Sequence, residues 1–172
     1  PTTVSLKADR RLRLLDLAGR FGFAVLEDDY DHEFHYESQP LLPMASYSPH
    51  RTIYIGSTSK LLVPGLRVGY VVAPKQVIKS FANEAAIIDR QGNTLTELAV
   101  AELIKSGELR RHARKALQIY LLRRDNFAAS LRSAFGDLLE FNVPHGGLAF
   151  WVRFRDPSTL DAIEDHAASQ GV

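Results

Sequence analysis

Residues 52–60 read TIYIGSTSK, an apolar run followed by a glycine, three hydroxyl side chains and an amine. A short apolar run bounded by loop signals is typical of a buried strand. Lys60 therefore follows the carboxyl end of a strand, and in an open α/β sheet that end points into the crevice where ligands bind. Partial desolvation there would favour the nucleophilic free amine, as a Schiff-base lysine requires. The alternative is a solvated lysine on a turn.

The composition limits the class of protein. The chain has 172 residues, of which 45% are hydrophobic and 24% charged, and its formal net charge is +1. These values predict a soluble globular protein with no overall attraction to nucleic acid or membrane. The sequence contains no cysteine, which excludes disulfides and thiolate metal sites. With no leader and no apolar run of membrane-spanning length, a cytoplasmic location is expected, and the start at Pro1 indicates a fragment.

Helices and strands alternate in the first part of the chain. Ser5 is a candidate N-cap for a helix that Gly22 would end. Strands are predicted at residues 23–26, 52–55 and 67–72. Short apolar runs separated by helices or loops predict part of a layered α/β sheet.

Beyond Lys75 the pattern becomes mainly helical. Its elements are predicted as helices at residues 75–91, 94–106 and 108–135, a strand pair around 139–143 and 148–154, a turn at 144–147, and a helix from Ser158. The long helix at 108–135 is expected to connect two domains.

An acidic segment follows the first predicted strand. Residues 27–35 carry five carboxylates and two imidazoles. A metal site is one interpretation, although His32 and His35 lack the spacing that puts two imidazoles on one helical face. A solvated loop is the second and suits most of these residues. Asp28 fits it less well, because it follows an apolar strand, so the third is that Asp28 pairs with a cationic ring nitrogen in the crevice.

Ser57, Ser59 and Arg67 form a candidate phosphate site. Two hydroxyls and a planar guanidinium can hold a phosphate through charge-assisted hydrogen bonds. Taken singly, Ser57 could cap a turn and Arg67 could pair with the acidic segment. Together with the amine of Lys60 and a buried Asp28 carboxylate, however, they make up the set of groups that holds pyridoxal phosphate.

The same residues carry a family resemblance over nearly the whole chain. The chain resembles fold-type I pyridoxal phosphate enzymes of the aspartate aminotransferase type, and most of all the aminotransferase-like domain of MocR-type regulators in the GntR family. The motifs that carry this resemblance are Pro1-Thr2, the run EDDYDHEFHY at 27–36, GSTSK at 56–60, LVPGLRVG at 62–69 and GGLAFW at 146–151. Thr3 stands where glycine is usual in these proteins.

The resemblance implies a role for each candidate site residue. Lys60 would carry the cofactor as a Schiff base and act in catalysis, Asp28 would keep the pyridine nitrogen protonated, and Tyr30 would hydrogen-bond the ring oxygen. Ser57, Ser59 and Arg67 would bind the phosphate. No metal is expected in the site.

The resemblance also implies the architecture. Residues 1–110 would be the C-terminal half of a three-layer α/β/α large domain, 111–135 the connecting helix, and 136–172 the start of an α+β small domain. The remaining contacts to the cofactor would lie outside these residues.

Two functions follow from the resemblance. The first is an effector domain that binds an amino acid or amine, in a homodimeric regulator whose DNA-binding winged helix-turn-helix lies outside this sequence. The second is a free-standing aminotransferase that acts on an amino acid and a 2-oxo acid. The basic run at residues 110–115 is interpreted as the solvent-exposed face of a helix.

Overall fold

The computed structural model describes residues 3–36 and 41–171. The helices in this part of the chain are α1 (Ala8–Phe21), α2 (Met44–Tyr47), α3 (Lys75–Ile88), α4 (Thr94–Lys105), α5 (Glu108–Phe135) and α6 (Ser158–Ser169). The strands are β1 (Val25–Asp29), β2 (Thr52–Ser57), β3 (Gly69–Val72), β4 (Leu139–Phe141) and β5 (Val152–Phe154). None of the described helices combines the length and apolar character that crossing a bilayer requires.

The first three strands form one mixed sheet in the order β1-β2-β3. β1 and β2 are parallel, with Asp28 opposite Ile55. β3 is antiparallel to β2, with Gly69 opposite Ser57. β4 and β5 pair antiparallel in a second, two-stranded sheet. The predicted strand pair near the C-terminal end is therefore confirmed, although both strands are shorter than the predicted 139–143 and 148–154.

Helices α1 and α2 cover one face of the three-stranded sheet. Ala18 of α1, Val25 of β1 and Met44 of α2 are buried against one another, and Leu14 and Leu15 pack on this cluster. Burial alternates along β1, because successive side chains point to opposite faces of a sheet. Leu26, on the other face, is 64% exposed.

A second cluster joins the sheet to α5. Phe34, Leu61 and Ala116 are buried together, with Tyr120 and other half-buried side chains of α5 around them. The rings of Phe34 and Tyr120 meet edge to face, with centroids 4.9 Å apart. The segments that follow β1 and β2 are thus both packed against the long helix.

The predicted start of the first helix is wrong. The helix begins at Ala8 with Lys7 as its N-cap, rather than after Ser5. The Arg11 side chain donates hydrogen bonds to the carbonyls of Leu6 and Leu42, which holds the preceding segment in place. The predicted end is confirmed, since Gly22 adopts φ +72° and its N–H donates to the Ala18 carbonyl.

The first strand lies further along the chain than predicted. It spans Val25–Asp29 rather than residues 23–26. Charged side chains are accommodated in it because Glu27, which is 7% exposed, is paired with Arg11 at 3.1 Å and accepts a 2.7 Å hydrogen bond from the Met44 N–H. The pairing with β2 extends the strand as far as Asp29.

The third strand is shorter than predicted. Arg67 has φ +54° and ψ +38°, a left-handed conformation that no strand residue adopts, so the strand begins at Gly69. The predicted helix at 108–135 is confirmed to the residue. The predicted helix at 75–91 is shorter, since α3 ends at Ile88, so the break before α4 covers residues 89–93 and includes the expected Gly92 and Asn93.

Thr52 offers a test of the core beneath the sheet. Its side chain is fully buried, and its hydroxyl has no hydrogen-bond partner among the described residues. Because a buried hydroxyl without a partner costs free energy, Thr52→Val is expected to raise the free energy of unfolding by about 1 kcal/mol. Urea unfolding measures this change. A lower unfolding free energy would contradict the assignment and show that the hydroxyl is bonded.

Candidate functional site

The strand arrangement brings the predicted site segments to one edge of the sheet. The carboxyl ends of parallel strands lie at the same edge, so Asp28 and Ser57 do so as well. β3 runs the other way, and its first residue, Gly69, pairs with Ser57 at that edge. Arg67 precedes this strand by two residues. Three segments separate in sequence therefore meet where a ligand crevice is expected.

The turn that carries Lys60 is tied to the segment that carries Arg67. The N–H and the hydroxyl of Thr58 both donate to the Val68 carbonyl, at 3.1 and 2.8 Å. The Leu62 N–H donates to the Thr58 carbonyl at 2.8 Å, closing the turn. Thr58 and Leu61 are buried while Lys60 is exposed. Thr58 and Leu61 thus hold the turn in place, while the side chain of Lys60 is exposed.

The Ser57 hydroxyl is held by the backbone of the turn. The Ser59 N–H donates to Ser57 Oγ at 3.2 Å. This contact orders the Ser57 side chain, as expected for a serine that caps a turn. The hydroxyl hydrogen of Ser57 remains free to donate elsewhere. Both serines are half-buried next to the amine.

Helix α5 also holds the lysine turn. His112 Nε2 lies 2.8 Å from the Leu61 carbonyl oxygen. A carbonyl only accepts, so Nε2 carries the hydrogen of this bond. The residue next to Lys60 is thereby fixed to the long helix, a contact that the basic run at 110–115 did not reveal.

Two expectations about burial are wrong for the described chain. Asp28 and Lys60 are both exposed, whereas the sequence predicted a buried carboxylate and a partly desolvated amine. The physical reason is strand alternation: Asp28 shares the open face of β1 with Leu26, while α1 and α2 cover the face of Val25 and Glu27. Arg67 is exposed too and makes no ion pair within the described residues, so its alternative role as partner of the acidic segment is not found.

Asp29, rather than Asp28, forms the polar network at the end of β1. Its Oδ2 lies 2.9 Å from His32 Nδ1 and accepts a 3.2 Å hydrogen bond from the Tyr54 hydroxyl. The sequence reasoning assigned Asp29 to a solvated loop. The period-two pattern that starts from buried Val25 would have placed it on the covered face.

The charges of this network are set by its hydrogen bonds. Burial by itself would raise the pKa of Asp29, but the bond from His32 and the His32 charge outweigh it, and the pKa is lowered. The hydrogen bond to Asp29 raises the pKa of His32 against the effect of burial. Burial and the nearby His32 lower the pKa of His35. The Asp29–His32 pair is therefore an ion pair near pH 5.

A cavity of about 350 Å³ opens beside this network. Tyr30, Asp31, His35 and Gly147 are among the residues that line it. Of the six predicted cofactor residues only Tyr30 does so, and the other five lie on the open edge of the sheet. Within the described residues, no cluster of three or more His, Asp or Glu side chains could hold a metal ion.

The glycine-rich loop after β4 closes onto the acidic segment. The Gly147 N–H donates to the Phe34 carbonyl at 2.7 Å, and the Tyr36 hydroxyl donates to the Gly147 carbonyl at 2.7 Å. Arg124 of α5 lies over the Tyr36 ring and donates to the Pro144 carbonyl. The two sheets are thus linked through residues 34–36.

One motif of the family resemblance, Pro1-Thr2, lies at the start of the chain and is followed by Thr3. Pro1 and Thr2 lie outside the described residues. Thr3 has φ +56°, in the left-handed region that favours glycine. The residue that replaces the usual glycine therefore keeps the backbone conformation for which glycine is suited, at a cost of about 1 kcal/mol or more.

A mixed sheet flanked by helices, with a lysine turn after its second strand, defines an α/β protein. Residues 1–170 match the family model described as aminotransferase class I and II. The chain belongs to this family.

Relatives of both predicted kinds are similar to the chain over its whole length. It is 28% identical to aromatic-amino-acid aminotransferase 1 of Thermococcus litoralis and covers 42% of that protein. It is 29% identical to the probable rhizopine catabolism regulatory protein MocR of Rhizobium meliloti and covers 35% of it. The predicted resemblance is therefore confirmed.

A solved structure of the same kind matches closely. LysN, the alpha-aminoadipate aminotransferase of Thermus thermophilus, complexed with N-(5′-phosphopyridoxyl)-L-leucine, superposes with a TM-score of 0.83 at 25% identity. The match covers 91% of this chain and 41% of LysN. The predicted partial fold-type I α/β fold is confirmed, and the chain spans about two fifths of the length of the proteins it matches.

The Asp29–His32 pair predicts a pH dependence of stability. The raised pKa of His32 adds stability that is complete below its ordinary value of 6.5 and is lost as the pH rises through the raised value. The lowered pKa of Asp29 adds stability that is present above 3.8 and is lost as the pH falls through the lowered value. The pair therefore stabilises most between these two ordinary values.

His32→Gln is expected to lower the free energy of unfolding by about 0.5 kcal/mol in this window, and by less at high pH. Urea unfolding at about pH 5 and about pH 9 measures the difference. His50→Gln, at an exposed histidine, is the matched control. An equal loss for His32→Gln at both pH values would contradict the ion pair.

Proposed function

We propose that this chain is the pyridoxal phosphate-binding part of an aminotransferase-like effector domain in a DNA-binding transcriptional regulator, with Lys60 as the covalent attachment point. The observation that carries the proposal is the meeting of Asp28, the Ser57–Lys60 turn and Arg67 at one edge of the sheet. An amine, a carboxylate and a set of phosphate donors are brought together there by strand pairing.

The family match and the phosphopyridoxyl compound in LysN indicate pyridoxal phosphate as the cofactor, as the sequence predicted. The groups at the edge fit it chemically. Two hydroxyls and a guanidinium can satisfy a phosphate dianion, a primary amine can bond its aldehyde carbon, and a carboxylate can pair with a protonated ring nitrogen. When bound, the cofactor supplies an electron sink in its pyridine ring.

Each residue would have its own part in holding the cofactor. Arg67 and the hydroxyls of Ser57 and Ser59 would bind the phosphate and fix its orientation. The Asp28 carboxylate would accept a hydrogen bond from the ring nitrogen and favour its protonated form. The Tyr30 hydroxyl would donate to the ring oxygen. The amine of Lys60 would hold the aldehyde carbon, and as a free amine it could accept or return a proton.

The open position of these groups supports a site completed by further polypeptide. Asp28, Lys60 and Arg67 are all exposed on the described chain, and water would weaken their interactions with a ligand. We therefore place the remaining cofactor contacts on segments outside residues 1–172, and the completed site at the interface of a homodimer.

Similarity to MocR and to other regulators supports the regulatory function. The run EDDYDHEFHY at residues 27–36, which resembles the sequence of MocR-type regulators, supports the regulatory function as well. The DNA-binding module would then lie outside these residues. An amino acid or amine would act as the effector by binding the cofactor-loaded site and changing the population of two conformations.

The second candidate function is a free-standing aminotransferase. Similarity to the Thermococcus litoralis enzyme favours it, at an identity close to that with MocR. Lys60 would then move the α-proton of an amino acid in every turnover.

Lys60→Ala tests the cofactor site in the full-length protein. Without the amine no covalent bond can form, so the visible absorbance that develops on adding pyridoxal phosphate is expected to be lost, together with borohydride-stable labelling. The free energy of unfolding should change by no more than about 0.5 kcal/mol, because Lys60 is exposed.

Lys115→Ala, at an exposed lysine of α5, is the matched control and should keep both signals. Labelling that persists at full strength in Lys60→Ala would place the attachment point on another lysine and remove the basis of the proposal.

The regulatory function predicts coupling between cofactor and DNA. The affinity of the full-length protein for DNA from upstream of its own gene is expected to change about fivefold or more when pyridoxal phosphate is added, within the usual range of allosteric coupling. Fluorescence anisotropy measures it, and Lys60→Ala should abolish the change. Steady turnover of an amino acid and a 2-oxo acid by a protein with no DNA affinity would establish the aminotransferase instead.

A further inference from the structure

We propose that Thr58 is a positioning residue for phosphate recognition, which fixes the Ser57–Lys60 turn relative to Arg67. The proposal rests on the proposed function, because it assigns Thr58 a part in binding the phosphate of the cofactor. Thr58 itself does not face the ligand. It acts through the residues on either side of it and through Val68.

The contacts of Thr58 connect two segments of the site. Its side chain is 4% exposed, so its hydroxyl is not available to a ligand in the crevice. The hydroxyl and the N–H both donate to the Val68 carbonyl, at 2.8 and 3.1 Å. Val68 follows Arg67 directly in the chain. One buried residue therefore links the turn that bears the serines and the amine to the residue beside the guanidinium.

This link lies where the regular sheet has ended. The ladder between β2 and β3 stops at the pair of Ser57 and Gly69. One residue beyond that pair Thr58 is bonded to Val68, and Arg67, which precedes Val68, adopts its left-handed conformation at φ +54°. Such a conformation is unfavourable for a residue with a side chain and persists only where neighbouring contacts hold it. The bonds of Thr58 to Val68 are such contacts.

Phosphate recognition depends on this link more than amine chemistry does. The phosphate donors come from both segments, Ser57 and Ser59 from one and Arg67 from the other. A planar guanidinium binds well only when its position is fixed relative to the other donors. Lys60 lies on the same turn as the serines, so its reach toward an aldehyde does not require register with Arg67. Loss of the Thr58 hydroxyl should therefore weaken binding of a phosphorylated ligand selectively.

The test compares pyridoxal phosphate with pyridoxal, which lacks the phosphate. The measured quantity is the ratio of their dissociation constants, obtained from visible absorbance titrations of the full-length protein. Thr58→Val keeps the shape of the side chain and removes the hydroxyl. It is expected to reduce the preference for the phosphorylated ligand about fivefold, which corresponds to about 1 kcal/mol.

Two variants serve as controls. Thr58→Ser keeps the hydroxyl and should restore the parental preference. Thr52→Val is the same substitution at another buried threonine, at the start of β2, whose hydroxyl has no partner among the described residues, and it should leave the preference unchanged. If Thr58→Val does not fold, Thr58→Cys, with a weaker donor, takes its place and should shift the preference in the same direction.

A double-mutant cycle checks the route of the effect. In an Arg67→Ala background, Thr58→Val should no longer alter the preference, because the residue it positions is gone. If Thr58→Val leaves the ratio of dissociation constants unchanged, because it weakens the binding of both ligands equally or of neither, the positioning role is overturned and Thr58 is a structural residue. Failure of the parental protein to bind pyridoxal phosphate would instead overturn the proposed function itself.

Discussion

The parallel pairing of β1 with β2 is the constraint on which the rest of the structure depends. It places Asp28 opposite Ile55 and brings the ends of both strands to one edge. The segments after these ends then pack side by side against α5, through Phe34 and Leu61. A one-residue slip in register would move every side chain of β1 to the opposite face, because the side-chain period of a strand is two residues. The carboxylate that faces the crevice would then be Asp29.

The three carboxylates of β1 lie on opposite faces of the strand and have different surroundings. Glu27 and Asp29 lie on the face of β1 opposite to Asp28, where Arg11, His32, Tyr54 and the Met44 N–H satisfy them. Buried charges are tolerated only when they are paired and hydrogen-bonded in this way. Asp28 lies on the open face of β1 and has no such hydrogen-bond partner among the described residues. The same alternation that stabilises the sheet thus leaves one carboxylate available to a ligand.

The lysine turn is integrated into the structure on two sides. Thr58 bonds it to the segment before β3, and His112 bonds it to α5. The acidic segment is tied in turn to the glycine-rich loop that precedes β5, through Phe34, Tyr36 and Gly147. The lysine turn, the acidic segment and the glycine-rich loop are therefore connected to both sheets by hydrogen bonds and packed side chains. The proposed regulatory function would require a connection of this kind.

The sequence by itself determined most of the elements and the candidate chemistry: the period of residues 108–135 defined α5, Gly22 ended α1, and the motifs that carry Asp28, Ser57, Lys60 and Arg67 indicated pyridoxal phosphate. These features are local, because helical periodicity, turn residues and side-chain chemistry are properties of neighbouring residues. Only the tertiary structure decided that β1 extends to Asp29, that Asp28 is exposed, that Arg67 is left-handed and that Thr58 joins two segments. Each of these depends on pairing between residues distant in sequence, and no local pattern encodes which partner a strand or a buried hydroxyl will find.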